Sequence, residues 1–383
     1  MLARSRAVAV CAAVAVCVAG CTKPASSTVT TPGKSLTIYT SLPPGGASDQ
    51  RAQDVLGAEQ LALKQPGALP ANFTITLRSL KGAKLSDNAR TAIEDSHAIA
   101  YLGEIVPGQS AGSIGITNAL ALAQVSPTDT AQALTQANAA VPGSPKVYYE
   151  SYSTYGQTFA RLVPTTSREA SAIVQEMQAL SVHSLYIATD GSDYGDALAA
   201  AVRRAAGSIS LQSSSTGADA VLEAGASEVA AAKTFNAAVA SSPRVKLFGP
   251  SAVDDQALVA LLSPAAQPNL YVSAPGFLPS DLTPEGKTFV SMFQATYQHA
   301  PAPEAIFGYE AMSVVLAALR QAGAAANNRA TVLHDLLGLN ESTSALGPFR
   351  FLSSGDTTVA CPIVFSQVRS GRLTPFKSIR PVG

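Results

Sequence analysis

Strand-forming and helix-forming segments alternate along most of this 383-residue chain, and that alternation limits the folds open to it. Leu36-Thr-Ile-Tyr-Thr-Ser41 is a β-rich run broken by Pro43-Pro44-Gly45-Gly46, after which Ala52, Val55, Ala58 and Ala62 recur at helical spacing. Strands are expected at Phe73–Leu77, Ala98–Val106 and Leu120–Val125, with helices starting near Ser110 and near Asp129. The pattern resumes with a helix at Ser167–Leu180. Strands at Ser184–Ala188, Ala220–Leu222, Val245–Phe248 and Leu270–Ser273 then alternate with helices at Asp193–Ala206, Ala226–Ala240 and Asp255–Leu262. Helices at Pro284–Tyr297, Gly308–Ala322 and Arg329–Leu339 precede two short β signals, near Phe349–Phe351 and Ile363–Val368. Repeated β-then-α units require a parallel sheet with helices on both faces. The chain has enough of them for two such α/β sheets side by side.

The N-terminus carries a different message. Arg4 and Arg6 precede an apolar run from Ala7 to Val18, which ends at Val18-Ala19-Gly20-Cys21. A charged start, a short apolar stretch and small residues at a cut form a signal peptide. The run is shorter than the ~20 residues a bilayer-spanning helix needs. The Cys after the small residues resembles the lipobox of bacterial lipoproteins, which implies cleavage before Cys21 and lipidation of its side chain. Residues 1–20 are thus expected to be a lipoprotein signal, and 21–35, rich in Ser, Thr and Pro, a flexible tether. The expected place is extracytoplasmic, lipid-anchored to the bacterial cell membrane.

Without that signal the chain holds 24 basic and 26 acidic residues and shows no Lys/Arg cluster, so nucleic acid is not an expected partner. Charged residues make up only 14%, against ~25% in ordinary domains. The 47% apolar content nevertheless supports a sizeable core. Cys11 and Cys17 lie in the signal, so Cys361 is the one thiol left beyond Cys21 and no internal disulfide can form. Its apolar neighbours Val359, Ala360, Ile363 and Val364 mark it as a buried structural residue.

The order of elements and several local motifs resemble the type I periplasmic binding proteins, the Leu/Ile/Val-binding class that serves ABC transporters. Tyr101-Leu102-Gly103-Glu104 precedes the small-residue loop Gly108–Ser113, and Val125-Ser126-Pro127-Thr128 follows at a typical spacing. Thr158-Phe-Ala-Arg-Leu-Val-Pro164 looks like a first crossing between lobes. Leu185-Tyr-Ile-Ala-Thr-Asp190 with Asp193-Tyr194-Gly195, then Phe248-Gly249-Pro250, Gly308-Tyr309-Glu310-Ala311 and Leu346-Gly347-Pro348-Phe349, continue in family order. The resemblance implies two doubly wound parallel-sheet lobes joined by three crossover strands. Lobe 1 would be 36–164 plus 278–345, and lobe 2 would be 165–277 plus 346–383. A small polar, amino-acid-like ligand would sit in the cleft and pass to an ABC permease.

Ligands in open α/β sheets bind beyond the C-terminal strand ends. Several predicted loops there carry short hydroxyls and bare backbone N–H groups, which suit a carboxylate or another polar group. The candidate ligand residues are Ser41, Gln109, Ser110, Ser126, Thr128, Thr130, Tyr194, Ser227, Ser251 and Tyr309. The chain departs from amino-acid-binding members of the family. Pro107 stands where a hydroxyl residue holds the ligand carboxylate, Ser227 where a Tyr is expected, and Ser251 where an acid neutralises the ammonium; Glu223, Asp254 and Asp255 lie nearby in sequence. A ligand less cationic than an amino acid, or of another shape, is therefore expected. The family's helix between the strands near Leu211 and Ala220 has no counterpart, since only Ser213–Gly217 and a few neighbours fill the space.

Three other classes compete. Gly108-Gln109-Ser110-Ala111-Gly112 matches the G-x-S-x-G elbow of serine hydrolases, with Asp190, Asp254 or Asp281 and His299 or His334 as partners in chain order. A sensor lipoprotein without transport and a structural lipoprotein are the others. His97, His183, His299 and His334 are widely separated, so no metal or other cofactor is expected.

Overall fold

A computed structural model describes residues 29–44 and 49–380; Cys21, the signal segment, most of the tether and Gly45-Gly46 lie outside them. In chain order the elements are β1 (Ser35–Ser41), α1 (Gln50–Leu63), β2 (Thr74–Leu80), α2 (Leu85–Glu94), β3 (Ala98–Leu102), α3 (Ile114–Asn118), β4 (Ala123–Ser126), α4 (Tyr152–Tyr155) and β5 (Phe159–Arg161). Next come α5 (Thr166–Ala179), β6 (Ser184–Ala188), α6 (Asp193–Ala205), β7 (Ser210–Gln212), β8 (Ala220–Glu223), α7 (Glu228–Ser241), β9 (Lys246–Gly249), α8 (Gln256–Leu261) and β10 (Leu270–Pro275). The chain closes with α9 (Pro284–Tyr297), α10 (Ala305–Ala322), α11 (Arg329–Leu337), β11 (Asn340–Glu341), β12 (Phe349–Arg350), β13 (Ile363–Arg369) and β14 (Arg372–Ile379).

The first lobe is a five-stranded parallel sheet of order β2-β1-β3-β4-β5. Its middle strand β3, Ala-Ile-Ala-Tyr-Leu, is buried at every position, as a strand covered on both faces must be. The late helices α9, α10 and α11 supply Phe289, Phe307, Val315 and Val332 to the core beneath β1, β3 and β4. Helix α10 lies hard against α1. A Cβ on Gly308 would sit 2.8 Å from the Val55 carbonyl oxygen, so only glycine allows this approach. The second lobe is a seven-stranded sheet of order β14-β13-β10-β9-β8-β6-β7, whose last two strands in sequence form an antiparallel hairpin against an otherwise parallel set. Helix α6 shows how local sequence builds this lobe. Ser192 caps it by accepting from the Gly195 N–H, Asp193 and Asp196 face its positive end, and Arg203 and Arg204 its negative end.

The chain crosses between lobes three times, at 162–165, 276–283 and 352–362, and the crossings are stitched together. The Arg161 N–H donates to the Gly355 carbonyl at 2.9 Å and the Gly276 N–H to that of Pro362 at 3.1 Å. Arg161, fully buried, pairs with Asp356 at 2.9 Å and donates to the carbonyls of Asp129 and Ala131 and to the Thr135 hydroxyl. Gly355 has φ +83°, and a Cβ there would lie 2.0 Å from the Phe159 carbonyl oxygen, so that corner tolerates no side chain.

Several expectations need correction. No helix begins at Asp129; among the described residues, the long segment after β4 holds only short turns of helix and α4. The Asp129 carboxylate turns back to bind N–H groups of an earlier loop, and Pro142, Pro145 and two glycines follow. Helix α2 was hidden by its polar sequence, with only Asn88, Ala89 and Ala92 buried. The link from β7 to β8 does lack a helix. It leaves β7 as a three-residue edge strand, exposed throughout, with Leu211 47% accessible. Cys361 is buried in the first lobe's core, and burial pushes its thiol well above the usual range.

Candidate functional site

The loops after β1, β3, β4, β8, β9 and β10 meet between the lobes, at the strand ends where this architecture places ligands. At the floor lies a group the sequence reading missed, the Glu169 carboxylate from the first turn of α5. It is fully buried. Its Oε1 accepts from the Ser251 N–H at 2.7 Å and the Ser273 hydroxyl at 2.8 Å. Its Oε2 accepts from the hydroxyls of Ser251 at 2.9 Å, Thr130 at 3.4 Å and Tyr194 at 3.5 Å. Burial raises its pKa, against these hydrogen bonds. Three of the expected ligand residues, Thr130, Tyr194 and Ser251, thus converge, but on an internal carboxylate. Glu169 thus brings an acid against Ser251, the position where the family resemblance implies one. Its signal in sequence was Thr166-Ser-Arg-Glu169, which reads as an ordinary capping box.

A second carboxylate organises the neighbouring wall. Asp129 accepts from the N–H groups of Gly108 at 2.7 Å, Ser110 at 2.9 Å and Ala131 at 3.0 Å. The backbone donors expected to receive a ligand carboxylate are therefore held by the protein itself. The hydroxyls brace the same loops. Ser110 accepts from the Glu104 N–H, Ser126 donates to the Glu104 carbonyl and accepts from the Asp129 N–H, and Thr128 donates to the Ile105 carbonyl. Glu104, pushed up to about 7 by burial, adds another covered acid behind this wall. Gly108, φ +83°, lets the loop touch the facing lobe, since a Cβ there would fall 2.9 Å from Cβ of Tyr194.

Other expected residues have different positions. Ser41 is buried and accepts from the Asn88 amide at 2.9 Å. Ser227 caps α7 through the Ala230 N–H. Tyr309 lies on α10 against Phe289, beside a separate hollow lined by Gln65, Glu285 and Arg320, and not in the cleft. Thr128, buried with its hydroxyl committed to a carbonyl, still edges the narrow inner end. Gln109 does face the cleft.

Above the floor, the cleft narrows to about 50 Å3 between Ala52, Val106, Pro107, Thr128 and Ala252, then widens outward to a hollow of about 1000 Å3. Arg51, from the first turn of α1, bridges the lobes there. It pairs with Asp255 at 2.5 Å and lies 3.9 Å from both Glu304 and Asp49. Burial works against its charge, but Glu304, Asp254, Asp255 and Asp49 more than compensate and raise its pKa. Asp254 is pushed up to about 7 by burial and by repulsion from Glu304 and Asp255, with Arg51 opposing. Burial raises Glu304 as well. His299 on the rim bonds Asp54 at 2.9 Å and the Tyr297 carbonyl at 2.9 Å, and both contacts favour its protonated form.

The hydrolase constellation does not assemble. Ser110 is fully buried and its Oγ accepts a backbone N–H, while His299 is engaged with Asp54 and His334 is 86% exposed on α11. Among the described residues, no cluster of three His, Cys, Asp or Glu is arranged to hold a metal ion.

Solved structures share this architecture. A leucine-binding LivK protein from Thermotoga maritima superimposes with a TM-score of 0.73 at 18% identity, covering 90% of this chain and 99% of its own. The LivJ protein of Streptococcus pneumoniae, solved with isoleucine, gives 0.69 at 14% identity, covering 91% and 100%. A solute-binding protein from R. palustris, solved with benzoate, gives 0.64 at 14%, covering 91% and 97%. No curated protein sequence matches. Residues 207–372 match the model of a periplasmic binding protein family, a family of binding proteins rather than of enzymes. The chain has the type I periplasmic binding protein fold, and its residues 207–372, from β7 through β13, carry the sequence pattern of a periplasmic binding protein family.

Proposed function

We propose that this chain is an extracytoplasmic, lipid-anchored solute-binding protein that captures a small polar solute between its lobes and delivers it to an ABC permease. The supporting observation is the cleft itself. It lies at the C-terminal strand ends of both sheets, is lined from both lobes and is spanned by the Arg51–Asp255 pair. Relatives of this fold named above bind leucine, isoleucine and benzoate. Lobe closure follows when a solute binds the closed arrangement better than the open one. The anchor reading rests on Val18-Ala19-Gly20-Cys21.

Thermal unfolding of residues 35–383 against amino acids, amides, amines, nucleosides and small carboxylates tests the binding reading. A solute at 100 times its dissociation constant adds about 2.7 kcal/mol of stability. Absence of any shift across the library would refute it. Labelling of the full chain with a radioactive fatty acid tests the anchor, and Cys21→Ala should abolish the label.

A further inference from the structure

We propose that the two lobes are latched shut by their own contacts, chiefly a strap of the first lobe at residues 130–149 and also the Arg51–Asp255 pair, so that closure of the cleft needs no solute. This latch concerns the resting state of the cleft and goes beyond its reading as a solute site. The strap leaves the first sheet after β4 and returns to it at β5. In between it is fastened to the second lobe. The Thr166 N–H at the start of α5 donates to the Thr130 carbonyl at 2.8 Å, and the Ser167 hydroxyl donates to Oε1 of Gln132 at 2.5 Å. The Tyr148 hydroxyl donates to the carboxylate of Asp193, the first residue of α6, at 2.6 Å. Ala133 and Val141 pack with Ala197 of α6, and all three are buried. Leu134 and Tyr149 join the apolar cluster of Ile173, Leu198 and Val202 in the second lobe.

The strap is fastened to the first lobe as well, so it cannot swing away with the second. Arg161 of β5 donates to the carbonyls of Asp129 and Ala131. Asn118 of α3 accepts from the Ser151 N–H at 2.7 Å and donates to the Gly156 carbonyl at 3.1 Å. A Cβ on Gly115 would lie 3.1 Å from the Tyr148 carbonyl oxygen. Opening the cleft therefore parts the strap from α6, exposes Ala133, Val141 and Ala197 to water and breaks the Tyr148–Asp193 bond. That cost is the same at every solute concentration.

The rest of the interface is closed in the same way. Arg51 follows β1 and Asp255 follows β9, whereas the strap follows β4 and meets helices that follow β5 and β6, so the two fastenings lie at different places along both sheets. Arg51 and Asp255 are partly exposed, and such a pair contributes less than the buried strap. Between the fastenings, the Glu169 carboxylate of the second lobe accepts from the Thr130 hydroxyl of the first, and Gly108 of the first lobe lies against Tyr194 of the second. Glu169 also accepts from Ser251, Ser273 and Tyr194, so the hydroxyls at the floor are satisfied from within the protein. A solute in the outer hollow then meets walls that are already in place, and its binding calls for little lobe motion.

The test is the distance across the outer hollow, between spin labels at Ala300→Cys in the first lobe and Arg372→Cys in the second, read by pulsed electron resonance. The mature chain carries Cys21→Ala to keep lipid away, and Cys361 is buried. Without added solute, the labelled protein should give one narrow distance. Adding Arg51→Met, Tyr148→Phe and Ala197→Gln together should lengthen it by more than ~2 Å, with circular dichroism reporting that this variant folds. Equal distances with and without the three changes would overturn the proposal. A long or broad solute-free distribution that shortens with leucine, isoleucine or benzoate would overturn it and leave the solute-binding reading standing. If the triple variant does not fold, the solute-free parent decides alone: the narrow distance set by the present arrangement upholds the latch, and a longer one overturns it. A latched parent that no solute in the wider library stabilises would uphold the latch and refute the solute-binding reading.

Discussion

Glu59 offers the sharpest test of how burial governs this molecule. It sits on α1, 1% exposed, and neither carboxyl oxygen has a hydrogen-bond partner among the described residues. The Thr40 hydroxyl beside it acts against the effect of burial, which is the larger of the two. Burial pushes the carboxyl from 4.5 up to about 8. The folded protein therefore keeps a proton that the unfolded chain releases between those values. With more protons bound when folded, stability is highest below the unfolded pKa and is lost as pH rises through the folded one. Roughly three and a half units at about 1.36 kcal/mol each is on the order of 5 kcal/mol. Glu59→Gln keeps the shape and cannot titrate. Urea unfolding at intervals from pH 5 to 8 should show the variant's pH profile flatter than the parent's by about 1.36 kcal/mol per unit. Parallel profiles would refute the reasoning.

Three other perturbations probe separate parts. Arg161→Met leaves Asp356 buried without its cation and should cost about 3–5 kcal/mol, whereas the double variant with Asp356→Asn should cost clearly less than the two single changes added together. Strict additivity in urea titrations would count against the hinge pair. Gly308→Ala forces α10 away from Val55 and should cost about 1–3 kcal/mol, again read from urea unfolding; an unchanged midpoint would mean that the helices yield freely. Ser110→Ala deprives the buried Glu104 N–H of its acceptor and should cost about 1–3 kcal/mol, and the parent protein should take no label from an active-serine reagent. Labelling at Ser110 would reopen the hydrolase reading.

The fold was legible because buried parallel strands such as Ala98–Leu102 stand out as continuous apolar runs, each followed by turn residues and a helical period. The first crossing was legible in Thr158–Pro164. Asp356, its partner across more than 190 residues, was not, because Ser-Ser-Gly-Asp reads as a turn and ion pairs at long separation leave no local trace. The floor of the cleft was half legible. Thr130, Tyr194 and Ser251 were expected there and do meet, but on Glu169. An acid in the first turn of a helix, or after Ser-Pro-Thr as in Asp129, has an ordinary local explanation in capping and dipole preference. Only the folded arrangement shows those carboxylates reaching other segments. Tyr309 was misplaced for a simpler reason, since a helix presents an aromatic residue to the core or to a cleft with the same period.

The interleaved path of the chain also sets an order of assembly. The five strands of the first sheet are complete by Arg161, yet their covering helix α10 begins only at Ala305. During synthesis the first sheet must wait, with one apolar face unprotected, while the whole parallel portion of the second is made. At ~5–20 residues per second the wait lasts many seconds. Over that interval Leu36, Ile38, Ile99 and Val125 lack the partners that bury them in the finished molecule. The closing of the first lobe is thus a long-range event late in the life of the nascent chain, and conditions that hold the chain loose until release favour its correct completion.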